Sequence, residues 1–195
     1  MSLYELIISR RTIRRFRPVP VGQAVLEKIV DAGRLAPSGS NLQPLEFVVV
    51  EDRSVRERIF PCLRWAGYIA PRGNPAPGEE PMAYIAPVLN LKIRRSGFEL
   101  DLGAAVENMI LAAWEEGIGS CWIGSLDAEK VAESLGLPEG YRLDCILALG
   151  YPAESPVLEE SAGSVKYWKD EAGAVHVPKR RLADVLHLNR FGGES

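Results

Sequence analysis

Histidine is scarce in this 195-residue chain, which has only His176 and His187. A Ser-His-Asp hydrolase of the common α/β type presents its nucleophile in a G-x-S-x-G turn, and the sequence has no such pattern. The two histidines also lack the paired carboxylate spacing of a metal-ligand set. The sequence therefore argues against a serine hydrolase and a metal centre, and we expect both histidines on the surface or in structural roles.

Cysteine is almost as scarce, and Cys62, Cys121 and Cys145 are widely spaced without a C-x-x-C pair. Such a set favours neither a disulfide framework nor a zinc site, and it suits a reducing cytoplasm. Charge begins at Glu5, so the N-terminus is not predicted to be a signal peptide. No uncharged stretch reaches the length of a membrane span, and we expect a soluble, cytoplasmic protein.

The chain has no excess of positive charge, because its net charge is −3 and its isoelectric point is near 5.6. General nucleic-acid binding normally requires a basic face, so the composition argues against it. At 47% hydrophobic residues, the chain can bury one sizeable core. We therefore predict a single domain over residues 1–195.

A local basic cluster nevertheless occupies Ser9–Phe16, with four arginines and the Thr12 hydroxyl within eight residues. Guanidinium groups beside a hydroxyl suit a phosphate, because arginine donates in a fixed fork and keeps its charge. A solvated basic turn or a nucleic-acid patch remains an alternative. A second cluster follows Pro178 at Lys179-Arg180-Arg181; it is either a solvated charge run or the other half of a phosphate clamp.

Hydrophobic periodicity predicts helices over 23–36, 53–60, 99–117 and 127–135, and a last helical turn or two over 182–188. Strands are predicted over 47–50, 84–91, 120–123 and 142–150, with short extended pieces at 167–168 and 175–177. The run 47–50 is typical of a sheet that is covered on both faces, and Pro87 indicates an edge position or a bulge. The interleaved elements indicate an α/β or α+β fold with a mixed sheet.

The helix predicted over 99–117 is apolar nearly all round. A chain of this size can hardly cover such a helix, so we predict a homodimer with the helix in its interface. Glu107 and Asn108 are its polar exceptions, and we expect them to cap backbone groups or to bridge subunits. Loops are predicted over 36–44 and over 70–82, the latter rich in proline and glycine and a candidate lid or disordered segment.

The glycines of Gly117–Gly124 resemble a dinucleotide fingerprint only superficially. The third glycine comes two places late, and the segment follows a helix and opens a strand, the reverse of the Rossmann order. A helix end and a tight turn account for Gly117 and Gly119. Gly124 is left over, and it suggests that another group approaches the backbone closely there.

Taken together, six segments resemble the nitroreductase family of FMN-dependent oxidoreductases, and the resemblance spans nearly the whole chain. These segments are Arg10–Phe16, Ala36–Pro44, Gly103–Ala113, Gly119–Gly124, Leu149–Pro152 and Pro178–Arg181. The resemblance implies an α+β three-layer sandwich with a central mixed, mainly antiparallel sheet, and an intertwined homodimer with one FMN in each interface.

The resemblance also implies roles for particular residues. Arg14 is expected near the N1 and C2 carbonyl edge of the flavin, and Ile123 and Gly124 are expected to present backbone groups to its N5 and O4 edge. The phosphate end is assigned to Arg10, Arg11, Thr12, Lys179 and Arg181, and the ring border to Pro37, Ser38, Ser40 and Asn41 of the partner subunit. Thr12 replaces a usual serine, and Leu45 stands where many members have tryptophan.

The implied activity is transfer of two electrons from NADH or NADPH, through FMN, to a small electrophile such as a nitroaromatic or a quinone. The flavin carries this chemistry, so no catalytic side chain is assigned and no separate nucleotide fold is needed. Within the family, a dehalogenase, a ring dehydrogenase or a flavin-degrading enzyme is an alternative. From another class, the alternative is a non-catalytic flavin carrier or anion-binding module.

Overall fold

The structure, a computed structural model, describes residues 1–193, so the last two residues of the predicted domain lie outside the described residues. Its helices are α1 Leu3–Ser9, α2 Gln23–Arg34, α3 Arg53–Ile59, α4 Glu99–Glu115 and α5 Ala128–Leu135. Its strands are β1 Leu45–Val50, β2 Ala83–Asn90, β3 Gly119–Ile123, β4 Tyr141–Leu143, β5 Ile146–Gly150, β6 Val157–Glu160, β7 Trp168–Lys169 and β8 Val175–Lys179. The helix predicted over 182–188 is a single 3₁₀ turn, Leu182–Asp184.

The central sheet has the order β1-β2-β5-β3, with β4 also pairing β2, and all of these pairs are antiparallel. Side chains from alternate positions of β2 and β5 enter two separate cores. Tyr84 and Ala148 face the core that α3 and α5 cover, whereas Ile85 and Leu147 face the core that α2 and α4 cover. The chain therefore forms the α+β three-layer sandwich that the resemblance predicted.

Pro87 is not at an edge of the sheet, because β2 pairs with β1 on one side and with β4 and β5 on the other. The bulge alternative fits instead. Ile85 lies opposite Leu147 and Val88 opposite Leu143, so the three residues 144–146 stand opposite the two residues 86–87. This extra residue divides the predicted strand 142–150 into β4 and β5, and the proline, which has no N–H, lies where the ladder is interrupted.

Strand β1 lies at one edge of the central sheet and β3 at the other. As predicted, β1 is covered on both faces, because Val48 packs against the core under α3 and α5 and Phe47 against the core under α2 and α4. Among the described strands β1 pairs only with β2, and Val49 is 37% exposed. Its β-branched residues fit an edge strand as well as a central one, so composition alone does not distinguish the two positions.

Helix α4 has one buried stripe, formed by Leu102, Val106 and Met109, and an open side on which Leu100 is 85% exposed. Asn108 donates from Nδ2 to the Ala32 carbonyl on α2 at 3.1 Å, so it satisfies a backbone group of the neighbouring helix rather than one of its own local backbone. Among residues 1–193, no helix is long and apolar enough to cross a membrane.

The segment that follows α1 lies directly against the central sheet. Ile13 and Phe16 are fully buried, and the Ile13 N–H donates to the Ser120 carbonyl at 2.9 Å. A side chain at Gly119 would begin 2.8 Å from the Ile13 Cβ, and one at Gly150 would begin 2.9 Å from the Phe16 ring. Gly119 therefore admits this segment rather than a tight turn, which corrects the interpretation of that glycine.

A second, small sheet in the order β6-β8-β7 holds His176 between two carboxylates. The imidazole Nδ1 lies 3.0 Å from Glu159 Oε2, Nε2 lies 3.2 Å from Asp170 Oδ2, and the Trp168 ring stacks on the imidazole at 4.1 Å. Hydrogen bonds to Asp170 and Glu159 raise the pKa of His176. The histidine therefore has the structural role that the sequence predicted.

The close packing at Gly119 predicts a loss of stability in Gly119→Ala. The added methyl group overlaps the β-branched Ile13 side chain, and overpacking of this kind costs about 1–3 kcal/mol. Urea unfolding would measure the free-energy difference. Gly67→Ala is the matched control, because no atom lies within 4 Å of a Cβ at that position; equal stabilities of the two variants would contradict the packing argument.

The His176 cluster predicts a pH-dependent contribution to stability. A raised pKa in the folded state stabilises below the ordinary value of 6.5, and the stabilisation is lost as pH rises through the raised pKa. The difference in thermal midpoint between wild type and His176→Gln should therefore be largest near pH 6 and should shrink above that pH. His187→Gln is the control and should show no such trend; a constant difference for His176→Gln would contradict the ion pairing.

Candidate functional site

The N-terminal arginines are presented at the end of a short, well-capped helix. At the start of α1, the Ser2 hydroxyl accepts from the Glu5 N–H and the Glu5 carboxylate accepts from the Ser2 N–H. The chain then becomes extended at Arg10, and Thr12 forms a bridge with Ser120 on β3. The phosphate residues predicted in the N-terminal segment, Arg10, Arg11 and Thr12, therefore lie beside the outer edge of β3, where the central sheet ends.

Arg10 and Arg11 place two positive charges on consecutive residues. Arg11 donates to the Ile8 carbonyl at 2.6 Å and also to the Arg10 carbonyl. Burial, with the Arg10 charge as a second cause, lowers the pKa of Arg11. Within residues 1–193, neither arginine has a carboxylate partner, so this pair is electrostatically suited to an anion.

Arg14 lies deeper, between the N-terminal segment and the C-terminal sheet. Its backbone N–H donates to Glu154 Oε1 at 2.6 Å, and its guanidinium lies 5.0 Å from the centre of the Tyr167 ring. Its Nε is buried and has no hydrogen-bond partner among the described residues. Burial raises the pKa of the neighbouring Cys121 to about 11, with Arg14 acting in the opposite direction, so Cys121 is a neutral thiol.

Tyr167 connects Arg14 to an open cavity of about 630 Å³. Tyr68 packs on Tyr167 with a centroid distance of 4.9 Å, and Trp168 lies on the same cavity wall. This aromatic wall was not predicted, because it combines residues that are a hundred positions apart in the sequence.

The loop predicted over 70–82 joins the same region rather than lying free. The Phe16 N–H donates to the Glu79 carbonyl at 3.0 Å, and Arg15 Nε lies 3.5 Å from Glu79 Oε2. At its other end, Lys169 Nζ donates to the Arg72 carbonyl at 3.1 Å. The loop therefore connects the N-terminal segment with the C-terminal sheet.

The predicted loop over 36–44 has an uncommon backbone conformation. Ser40, Asn41 and Gln43 have φ values of 54°, 55° and 49°, a region that residues other than glycine seldom occupy. Ser38 is half-buried, whereas Ser40 and Asn41 are exposed. Backbone strain of this kind is concentrated at functional sites, so the loop is a candidate binding element.

Sequence reasoning missed Asp101, which supports this loop. It is only 6% exposed, and its Oδ1 accepts from the Gly39 N–H at 3.0 Å while its Oδ2 accepts from Arg94 Nη1 at 2.7 Å. A carboxylate in the first turn of a helix is usually solvated, because it interacts favourably with the helix N-terminus. The signal that could have identified Asp101 is its position on the buried side of α4, among apolar residues.

Ile123 is the last residue of β3 and Gly124 follows it, and the two residues differ in burial. Ile123 is buried and pairs with Ile146, whereas Gly124 is exposed and a Cβ there would meet only the Asp144 carbonyl, at 4.0 Å. Packing within the described chain therefore does not require glycine at position 124.

Lys179 and Arg181 are not joined to the N-terminal arginines by any hydrogen bond or ion pair within residues 1–193. Lys179 ends β8, and its carbonyl accepts from the Ser161 N–H at 2.8 Å. Arg181 instead pairs with Asp184 at 2.8 Å, and this hydrogen bond raises its pKa. The described residues also contain no group of three potential metal ligands.

Known proteins are similar to this chain in both sequence and fold. A family model described as the Nitroreductase family matches residues 7–151. An Archaeoglobus fulgidus protein, provisionally named an NADH dehydrogenase/NAD(P)H nitroreductase, is 32% identical over 164 residues, which cover 80% of this chain and 89% of the relative.

Solved structures agree with this match. A structure of a provisionally assigned nitroreductase from Desulfovibrio desulfuricans in complex with FMN has 27% identity, a TM-score of 0.71 and 97% coverage of each chain. The NADPH:FMN oxidoreductase of Vibrio harveyi, complexed with NAD⁺, has 26% identity and a TM-score of 0.69, with 96% of this chain and 77% of that chain covered. The resemblance stated from six short segments is thereby confirmed, and this chain belongs to the nitroreductase family.

Proposed function

We propose that this protein is an FMN-dependent oxidoreductase that passes two electrons from NADH or NADPH, through its bound flavin, to a small electrophilic acceptor such as a nitroaromatic or a quinone. Membership of the family supports this function, as do the FMN in the Desulfovibrio desulfuricans structure and the NAD⁺ in the Vibrio harveyi enzyme. The observation that carries the proposal is the arginine cluster next to β3, with the Arg14 Nε buried and unpaired.

The donors of the N-terminal segment fit the phosphate of FMN. Arg10 and Arg11 offer unpaired positive charge at the end of α1, and the Thr12 hydroxyl follows directly. A phosphate at this point would reduce the repulsion between the two neighbouring guanidinium groups. Lys179 and Arg181 are assigned to the same phosphate, and for Arg181 this role requires exchange of Asp184 for the ligand.

Arg14 suits the pyrimidine edge of the flavin. When it is bound, FMN would supply hydride chemistry, accepting two electrons from the nicotinamide and delivering them to the acceptor. The Arg14 guanidinium would stabilise the negative charge that the reduced ring carries and would raise its reduction potential. The end of β3, at Ile123 and Gly124, would supply backbone groups at the opposite edge without a titrating side chain.

The acceptor would approach past the aromatic cavity beside Arg14. Its walls of Tyr68, Tyr167 and Trp168 suit a planar aromatic molecule, which favours a nitroaromatic or a quinone over a small aliphatic acceptor.

A homodimer completes the proposed site. Large apolar side chains are exposed on several elements, namely Leu3, Tyr4, Leu35, Leu42, Leu100 and Phe191. A second copy of the chain would cover such a surface, and Pro37, Ser38, Ser40 and Asn41 would border the flavin of the partner subunit. The three free cysteines suit a cytoplasmic location.

The first test is spectroscopic. Purified protein, with added FMN if needed, should show flavin absorbance that bleaches on anaerobic addition of NADH or NADPH and recovers with a nitroaromatic or quinone. Flavin that is bound but reduced by neither nicotinamide would favour a flavin carrier. Protein that takes up no FMN would contradict the proposal.

The second test addresses the phosphate site. Arg10→Ala should weaken FMN binding by about 1.5–3 kcal/mol, the cost of losing a hydrogen bond to a charged group. Titration of apoprotein with FMN, followed by flavin fluorescence, gives the dissociation constant. Arg17→Ala is the matched control, since Arg17 lies on the same segment but stacks on Tyr151 at 5.3 Å; equal affinities of the two variants would remove Arg10 from the site.

A further inference from the structure

We propose that Asp101 and Arg94 are positioning residues that hold the loop Ser38–Gln43 in its binding conformation. This inference rests on the proposed function, in which Ser38, Ser40 and Asn41 border the flavin of the partner subunit. It adds a specific support for that loop, formed by the ion pair between Asp101, which is buried in the first turn of α4, and Arg94, whose side chain is 22% exposed.

The loop needs a support because its backbone is strained. Ser40, Asn41 and Gln43 all have positive φ, and each such residue persists only where its surroundings enforce the conformation. Packing within the described chain does not enforce it, since all three residues are exposed there. Within the chain, hydrogen bonds are therefore the contacts that hold the conformation.

Some of these hydrogen bonds lie within the loop itself. The Asn41 N–H donates to the Ser38 carbonyl at 2.8 Å, and the Gln43 N–H donates to the Ser38 hydroxyl at 3.0 Å. These bonds fold the loop on itself but do not attach it to the domain. The hydrogen bond that attaches the loop to α4 is near the loop's start, where the Gly39 N–H donates to Asp101 Oδ1 at 3.0 Å.

Asp101 is itself fixed by Arg94. The Arg94 guanidinium donates from Nη1 to Asp101 Oδ2 at 2.7 Å and from Nε to the Ser96 carbonyl at 2.9 Å. The ionised side chain of Asp101 is 7% exposed, so loss of Arg94 would leave a buried charge without its partner. Its place in the first turn of α4 also favours the negative charge.

Gly39 fits this arrangement closely. A Cβ at this position would lie 2.6 Å from Arg94 Nη1, so a side chain would displace the guanidinium that holds Asp101. The loop, the ion pair and the glycine therefore form one unit, and it fixes the loop relative to α4.

The test compares Asp101→Asn, Arg94→Gln and the control Asp31→Asn. The control removes an exposed aspartate–arginine pair of similar length, Asp31 with Arg34 at 2.6 Å. In flavin-free protein, the Gly39 amide should exchange its hydrogen at least tenfold faster in Asp101→Asn. With FMN, the dissociation constant should rise at least tenfold, and the absorption spectrum of the bound flavin should shift; the control should match wild type in all three.

Unchanged Gly39 exchange and an FMN dissociation constant within twofold of wild type would overturn the inference, even if the thermal midpoint fell. If Asp101→Asn does not fold, Arg94→Gln decides through the FMN dissociation constant, because it keeps the acceptor for Gly39 and removes only the partner of Asp101. Wild-type protein that binds no FMN would contradict the proposed function. Wild-type binding with equal binding by the variants would contradict only the positioning role.

Discussion

The packing of the N-terminal segment onto the central sheet is the contact on which the rest of the site depends. Ile13 and Phe16 lie on Gly119 and Gly150, which are directly opposite each other in the β3–β5 pair. Because the two glycines have no side chains, the large side chains of Ile13 and Phe16 can be fully buried against the sheet at these positions. As a result, the arginines between and before them are held at the edge of β3 by hydrophobic contact rather than by their charges.

The C-terminal part of the chain completes the surroundings of these arginines. Glu154 accepts the backbone N–H groups of Arg14 and Arg15, and Tyr167 covers the Arg14 guanidinium. Tyr167 directly precedes β7 of the small sheet, which is stabilised by the His176 cluster. Three segments that are distant in sequence therefore meet at Arg14, although its Nε keeps no partner among the described residues.

Much of this fold could be predicted from local patterns. Asp127 caps α5 and Gly136 ends it with a φ of 65°, which agrees with the helix predicted over 127–135. The position of β1 at an edge and of β2 in the centre was not predictable, because Val49 does not indicate which strands lie beside it and Pro87 is compatible with either an edge or a bulge. Asp101 was missed for a similar reason, since its two partners, Gly39 and Arg94, are set by tertiary contacts. The phosphate roles of Lys179 and Arg181 came from their place in a second basic cluster and from the resemblance, and they stay predictions.

The extra residue opposite Pro87 has a consequence for how the chain tolerates change. Strand β5 begins directly after it, and Ile146, the first residue of that strand, pairs with Ile123. Deleting one residue at 144–145 would remove the mismatch, because the pairs Val88–Leu143 and Ile85–Leu147 would then be separated by two residues on each strand. Leu147 and Ala148 would keep their partners in β2 and the cores that they face. A one-residue deletion should therefore be better tolerated here than inside β5, where it would move the later side chains of that strand to the opposite face.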